Sequence, residues 1–422
     1  MELSQPKAGK VFSGYQIFII AILTILQFTI ILDFMVLSPL GVILLKELSI
    51  TTTQFGWVVS AYAFSAGAAG FLAAGFADRF DRKKLLMFFY VGFVIGTFLC
   101  GIADTYNFLL IARIVTGIFG GVIGSVSFAI ITDLFKMEVR GRVMGFIQMA
   151  FASSQVLGLP VGLYLANLWG WHSPFLMIVG ICVLVGIAIL IYMKPIDDHL
   201  KIQSDRNPVE HLIKTISQRN YLRAFAATVL LATGGFMLMP FGSTFGINNL
   251  GLTMDQLPII YMITGVVTII TGPFVGKLSD KIGKFQIFLI GSVLGMIMVV
   301  IYCNLGVTPL WILVVINSLL FVGISSRMIS SSALMTAIPE PQDRGAFMGI
   351  NSSIAQVAGG IAAVLAGKIV IQTESGKLER YDMLGYVVVA GMLITIIMMY
   401  VLDRFIQRKS AGIVRPQPQP VV

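Results

Sequence analysis

Charge is what this chain has least of. Asp, Glu, Lys and Arg make up 12% of its 422 residues, where a soluble domain carries about a quarter. Too little polar surface remains to wrap a water-soluble fold of that length. Chemistry-bearing residues are scarce as well. The three cysteines, Cys100, Cys182 and Cys303, sit inside apolar runs, which argues against a disulfide framework and suits small core side chains. The three histidines, His172, His199 and His211, fall near helix ends or in a long loop and lack metal-ligand spacing. There is no glycine-rich phosphate loop, so ATP is not expected as an energy source. Paired acids, a nucleophile elbow and a Cys/His cluster are also missing. The sequence therefore does not read as an enzyme, and no metal or cofactor is expected.

What is present is hydrocarbon. The chain is 57% hydrophobic with a mean hydropathy of +0.91, in runs of at least ~18 residues. This predicts an all-α membrane protein with twelve transmembrane helices, at 15–38, 54–76, 85–104, 107–132, 142–166, 172–193, 221–247, 256–276, 285–304, 310–336, 345–370 and 382–402. The first run is too long for the apolar core of a signal peptide and reads as a retained span. Twelve spans place both termini on one side. Lys7, Lys10, the Arg79–Lys84 cluster, Lys136, Arg140, Arg142, Lys194 and Arg404 are among the cations of that side. Lys46, Lys377 and Arg380 are on the other, with Lys368 near it. Cations gather on the cytoplasmic side of a membrane, so both termini are expected there. The net charge of +9 then reports orientation, and no nucleic-acid partner is expected.

The long loop divides the chain. The expected order is a cytoplasmic N-terminus (1–14), a six-helix bundle (15–193), a cytoplasmic linker with Pro195 and Pro208 (194–220), a second bundle (221–405) and a tail (406–422). The tail ends Pro-Gln-Pro-Gln-Pro-Val-Val and is expected to be disordered. The halves look like copies. Gly75, Asp78, Arg79, Asp81, Arg82 and Lys83 correspond to Gly276, Asp280, Lys281, Gly283 and Lys284. Thr132 followed by Arg140-Gly141 corresponds to Thr336 followed by Arg344-Gly345.

The stretch Gly75-Phe76-Ala77-Asp78-Arg79-Phe80-Asp81-Arg82-Lys83 resembles the helix 2–3 loop signature of the major facilitator superfamily. That resemblance implies two pseudo-symmetric six-helix bundles about an axis normal to the membrane, with a site between them. It also implies a cytoplasmic latch. Asp78 would face the start of helix 11 at Gly345, and Arg82 would pair with Asp133 at the inner end of helix 4. Asp280 and Lys284 would form a weaker mirror.

A charged side chain at the bilayer centre costs ~2.5–3.5 kcal/mol, so each one needs a reason. Asp33 in span 1, Arg113 in span 4 and Arg327 in span 10 stand out. Asp33 and Arg113 lie at similar depth, so a pairing, direct or through water, is expected. Burial and a nearby cation pull a carboxyl in opposite directions, and such a balance is able to couple a proton to movement. A static ion pair between helices is the alternative. The sequence Leu32-Asp33-Phe34-Met35-Val36-Leu37-Ser38-Pro39-Leu40 resembles the helix 1 acidic motif of bacterial drug:proton antiporters, and Arg113-Ile114-Val115-Thr116-Gly117 their helix 4 motif. Gly158, Pro160 and Gly162 resemble the helix 5 antiporter motif, with Leu159 intervening where the motif runs Gly-Pro. They allow close helix approach and a kink. Arg327 has no acid placed to neutralise it. It is read as a contact for an anionic group on the cargo or as a structural cation bonded to its serines.

The remaining cavity is expected from Gln27, Phe34, Gln155, Phe236, Met237, Met239, Phe241, Asn248, Tyr261, Asn351 and Gln356, flexible or aromatic groups suited to variable cargo. The resemblance thus points to a secondary active transporter working by alternating access. It would export amphipathic small molecules, driven by a proton gradient, as a monomer among the lipids of a bacterial cytoplasmic membrane. The alternatives are import of a metabolite by symport or uniport, transport of a lysolipid or other anionic amphiphile, and a non-transporting membrane receptor or enzyme.

Overall fold

The computed structural model describes residues 12–73, 77–201, 215–340 and 343–410. Among the described residues, twelve helices are long and apolar enough to cross a membrane: α1 (Gly14–Val36), α2 (Thr52–Ala73), α3 (Arg82–Gly101), α4 (Tyr106–Leu134), α5 (Val143–Trp169), α6 (Ser173–Tyr192), α7 (Arg219–Asn248), α8 (Gln256–Ile282), α9 (Lys284–Cys303), α10 (Leu310–Ala337), α11 (Ala346–Ile369) and α12 (Tyr381–Lys409). Large apolar side chains face outward along them, among them Trp169, Leu184, Phe274 and Ile397. Threonines, serines and the Asp33 and Arg113 side chains lie inside. A lipid solvent demands that arrangement, because it rewards no burial of oil and penalises exposed polar groups. The protein is an integral membrane protein.

The helices match the expected spans closely, and the differences have physical causes. α8 and α12 run past their apolar stretches through Lys277, Asp280 and Lys281 and through Asp403 and Arg404. Long charged side chains on a helix end reach water while the backbone stays hydrogen-bonded. Residues 406–409, expected in the tail, are thus helical. The tail from 411 and linker residues 202–214 lie outside the described residues. After α1 comes an unexpected short helix, Gly41–Glu47, seated on buried Leu44 and Leu45. Before α12 a small hairpin pairs Ile371 with Glu379 and Gln372 with Leu378.

Packing repeats between the halves. α1 packs on α5 and α6, α2 on α4, and α3 on α4 and α6; in the second half α7 packs on α11 and α12, α8 on α10, and α9 on α10 and α12. Each of these pairs recurs six helices later, so the internal sequence repeat is a structural one. Two further pairs, α2 with α11 and α5 with α8, join the halves and exchange under the same symmetry.

The α2–α11 seam is made of glycine. A Cβ on Gly56 would stand 2.8 Å from the Ala363 carbonyl, and one on Gly367 2.7 Å from that of Thr52. Backbones this close need small residues. Hydrogen bonds from Thr52 Oγ1 to Val370 O (2.8 Å), Thr53 Oγ1 to Gly367 O (2.9 Å) and Ser60 Oγ to Gly360 O (2.7 Å) follow the seam. Just past the end of α1, Ser38 donates to the Met239 carbonyl of α7, and Ser243 Oγ of α7 donates to Ser38 O at 3.0 Å. Phe55 meets Phe241 edge to face with centroids 5.8 Å apart. These contacts cluster toward the face opposite the termini, so the halves are zipped together there. Gly367→Leu is expected to cost about 1–3 kcal/mol by overpacking and to wedge that face open. Spin labels at the exposed Glu47 and Val307 would report a longer distance than in the unsubstituted protein.

Candidate functional site

The first bundle encloses one ion pair. Asp33 near the end of α1 and Arg113 on α4 are both 0% exposed. Arg113 Nη1 donates to Asp33 Oδ2 at 2.7 Å, and Thr97 Oγ1 on α3 donates to Oδ1 at 3.1 Å. Contact between α3 and α4 makes this convergence possible, since a Cβ on Gly96 would stand 2.7 Å from the backbone of Thr116. A pair so buried has lost its water, and the cost of desolvation is offset only by good geometry and further hydrogen bonds. The carboxylate has both. The guanidinium does not: Arg113 Nε and Nη2 are buried without a hydrogen-bond partner.

Instead the guanidinium lies on a ring. Its carbon is 4.7 Å from the centroid of Tyr62 on α2, a cation–π contact strengthened by the absence of water. The Arg-x-x-x-Gly spacing acquires a physical meaning here. Gly117 is one turn beyond Arg113, and a Cβ there would stand 2.5 Å from the Tyr62 carbonyl. The glycine lets α2 approach closely enough for its tyrosine to cover the arginine. Tyr62 in turn touches Phe34 (centroids 5.3 Å apart), and Phe34 touches Phe236 of α7 (5.6 Å). A continuous row of side chains therefore runs from the ion pair to the second half, where Phe236 rests against Gly359 of α11.

α5 departs from regular geometry nearby. Ser154–Gly158 form a π-helical turn, and Pro160 comes just after it, at the start of the next helical segment. One extra residue per turn rotates Gly158 and Gly162 toward α1, where their Cβ positions would approach Leu32 at 2.7 Å and Val36 at 3.3 Å. Such turns concentrate at functional sites. Gln155 within it is buried, with Oε1 unpartnered. Val156 packs on Gly265 of α8, so the irregular turn lies on the second seam.

Arg327 on α10 is 5% exposed, and its carbon lies 5.6 Å from the Phe288 ring. No ion pair forms around it among the described residues. Of the other expected cavity groups, Met237 and Phe241 are buried in the core, with Gln27, Met239, Tyr261 and Gln356 partly buried. Asn351 accepts from Thr228 Oγ1 at 2.6 Å, which ties α11 to α7. Asn248 belongs elsewhere. Its Nδ2 donates to Gly376 O at 2.7 Å, so it holds the hairpin before α12 at the end of α7 rather than lining a central space.

On the termini side, Arg82 Nε meets Asp133 Oδ2 at 3.0 Å, and Nη1 donates to Ala77 O at 3.0 Å. Asp81 caps α3 through Lys84 N at 2.8 Å and accepts from Ile196 N at 2.9 Å. These bonds tie the loop to α4 and to the chain after α6, both in the first half. The structure describes only the backbone at Asp78 and Gly345, so the expected contact between them lies outside what is described. Asp280 is exposed and Lys284 half-buried, and they form no ion pair among the described residues.

Sequence reasoning overlooked three groups. Tyr62 and Thr97 carry no signal among the many aromatics and hydroxyls of the spans. Asp343 did carry one, as an acid directly before an apolar helix. It is 8% exposed and accepts from Tyr221 Oη at 3.0 Å, which joins the starts of α7 and α11.

Comparison with known proteins agrees with this architecture. The family model described as Major Facilitator Superfamily matches residues 23–363. An uncharacterized MFS-type transporter, YceJ of Bacillus subtilis, is 29% identical over 64% of this chain and 68% of its own length. Multidrug resistance protein 3 of the same organism is 36% identical, over 36% of this chain and 30% of that protein. Among solved structures, a bacterial homologue of the human lysosomal transporter Spinster, inward-facing and occupied, aligns with a TM-score of 0.68 at 14% identity, covering 97% of this chain and 100% of the other. The nucleoside transporter NupG aligns with a TM-score of 0.70 at 14% identity, covering 91% and 99%.

Proposed function

The chain belongs to the major facilitator superfamily and is a transporter, and from that premise we propose that it exports amphipathic small molecules in exchange for protons, by alternating access. The observation that carries this reading is the Asp33–Arg113 pair. It is sealed from solvent inside the first bundle, yet joined through Tyr62 and Phe34 to Phe236 of the second. When Asp33 takes up a proton, its charge no longer holds the guanidinium. Arg113 shifts, and the ring stacked on it moves against the inter-half contact. Loss of the proton restores the pair. That sequence converts one proton into a bias between two arrangements of the halves.

The loop cations favour a cytoplasmic position for both termini, the membrane being the bacterial inner one. The zipped face is then the outer one, and the described contacts are those of a state closed to the outside. The protein works as a monomer in lipid, takes no cofactor, and draws its energy from the proton gradient. The multidrug resistance names among its relatives favour export of varied cargo.

The test uses inside-out membrane vesicles containing the full chain, energised to an acid interior, with a fluorescent cationic and a fluorescent anionic amphiphile tried in turn. Export activity appears as uptake into the vesicles that a protonophore abolishes. Uptake indifferent to the protonophore contradicts proton coupling.

A further inference from the structure

Arg327 is the cation that the mechanism leaves unused. Within the spans Asp33 and Arg113 neutralise one another, whereas Arg327 is buried with no acid beside it among the described residues. Its Nε and Nη2 find no hydrogen-bond acceptor. The hydroxyls around it divide into two sets. Ser326 Oγ and Ser331 Oγ donate to Val322 O and Met328 O of their own helix. Ser330 Oγ, one turn beyond Arg327, and Ser292 Oγ, one turn beyond Phe288 on α9, are both 0% exposed and have no partner.

The location is well defined. α9 and α10 meet through Gly291 and Gly323, a Cβ on Gly291 standing 2.6 Å from Ser326 Cβ. The guanidinium lies over Phe288 and points toward α7, where Gly234 has no side chain. A Cβ there would stand 4.0 Å from Arg327 Nη1 and 3.9 Å from Met392 of α12. The site therefore offers a fixed positive charge and several unpartnered donors, with apolar walls. An unpaired charge in such surroundings is costly, and unmade hydrogen bonds add to that cost.

The structure assigns to Arg327, with Ser330 and Ser292, a binding subsite for an oxyanion, a carboxylate or phosphate carried on an apolar body. A planar guanidinium matches such a group in a two-pronged fashion that an ammonium does not. The apolar body is implied by the walls, since Phe288 and Met392 flank the charge. Calling the bound anion cargo rests on the proposed transport cycle. Equilibrium binding, however, needs no proton gradient. A protein that binds the anion but ignores the gradient sinks the coupling and leaves the subsite. One that couples protons yet shows no anion preference does the reverse.

The experiment uses the purified full chain in phosphatidylcholine nanodiscs, with isothermal titration and thermal unfolding as readouts. The probes are octyl phosphate, octyltrimethylammonium, octyl glucoside and inorganic phosphate. Octyl phosphate is expected to bind saturably, roughly tenfold or more tighter than the other three. Arg327→Met should abolish that preference while the ligand-free protein melts no lower than wild type, because an unpaired buried cation has been removed. Arg327→Lys should bind, but more weakly. Gly234→Leu keeps the arginine, fills the space beside it and should also weaken binding, which covers the case in which Arg327→Met fails to fold. Three results overturn the assignment: equal binding of the octyl cation, wild-type binding by both Arg327→Met and Gly234→Leu, or inorganic phosphate binding as tightly as octyl phosphate. Loss of octyl phosphate binding when phosphatidylglycerol is added to the nanodisc gives the subsite to bilayer lipid and overturns its assignment to cargo.

Discussion

Proteoliposomes containing Asp33→Asn are expected to lose all response to a pH gradient while the protein stays folded. Asn has the shape of Asp and keeps an oxygen for Thr97 Oγ1, which donates to Asp33 Oδ1 at 3.1 Å in the native pair. It cannot exchange a proton. A gradient of one pH unit is worth ~1.36 kcal/mol per proton, or about a tenfold concentration of cargo for each proton exchanged. Wild type should show accumulation of that order, and Asp33→Asn none beyond equilibration. Exchange of labelled for unlabelled cargo, which needs no net proton movement, should survive in the variant and so separates lost coupling from lost transport. Gradient-driven accumulation by Asp33→Asn at the wild-type level would remove Asp33 from the mechanism.

Arg113→Ala should do greater damage. It leaves the Asp33 carboxylate fully buried without its cation and removes the support beneath the Tyr62 ring. Breaking a buried ion pair from one side costs about 3–5 kcal/mol, a large part of the 5–15 kcal/mol that typically separates folded from unfolded protein. Thermal unfolding in detergent is expected at a clearly lower temperature, and export should fall to background. The double variant Asp33→Asn/Arg113→Ala should recover much of the lost stability without recovering activity. Set against both single variants, the double variant gives the interaction energy of the pair. If Arg113→Ala alone unfolds as wild type does, the pair contributes nothing to the native bundle.

Much of this architecture was legible in the residues because hydrocarbon is an exacting solvent. It forces long apolar runs, so all twelve helices were found with small errors at their ends. Those errors fell where charged residues carry a helix into the interface, as in α8 and α12, since hydropathy measures the hydrocarbon and not the helix. The ionisable residues of the spans were legible for the same reason. Asp33, Arg113 and Arg327 stand out in the sequence because oil would exclude them. The repeat motifs predicted two similar halves, and the packing pairs recur accordingly.

Other features depend on helix rotation and depth, which apolar runs do not encode. Tyr62 is one aromatic among many until α2 is seen to lie against Gly117. Asn248 looked like a cavity residue because it comes after a methionine-rich stretch, yet α7 carries it to the hairpin at its end. The π-turn at Ser154–Gly158 changes the phase of α5, so sequence spacing alone misplaces the side chains beyond it. The glycine seam between α2 and α11 joins residues some three hundred positions apart, as in the bond from Ser60 to Gly360. Gly56 and Gly367 carry no mark that distinguishes them from the other glycines of the spans.

Infrared difference spectroscopy of the purified protein, comparing wild type with Asp33→Asn, reads the protonation of that carboxyl directly. Asp33 should pass from carboxylate to acid as pH is lowered across the range that drives export, and cargo should shift the transition. The corresponding carbonyl band should be missing from the variant. A carboxylate at position 33 that stays ionised throughout that range, with cargo and without it, would contradict the account.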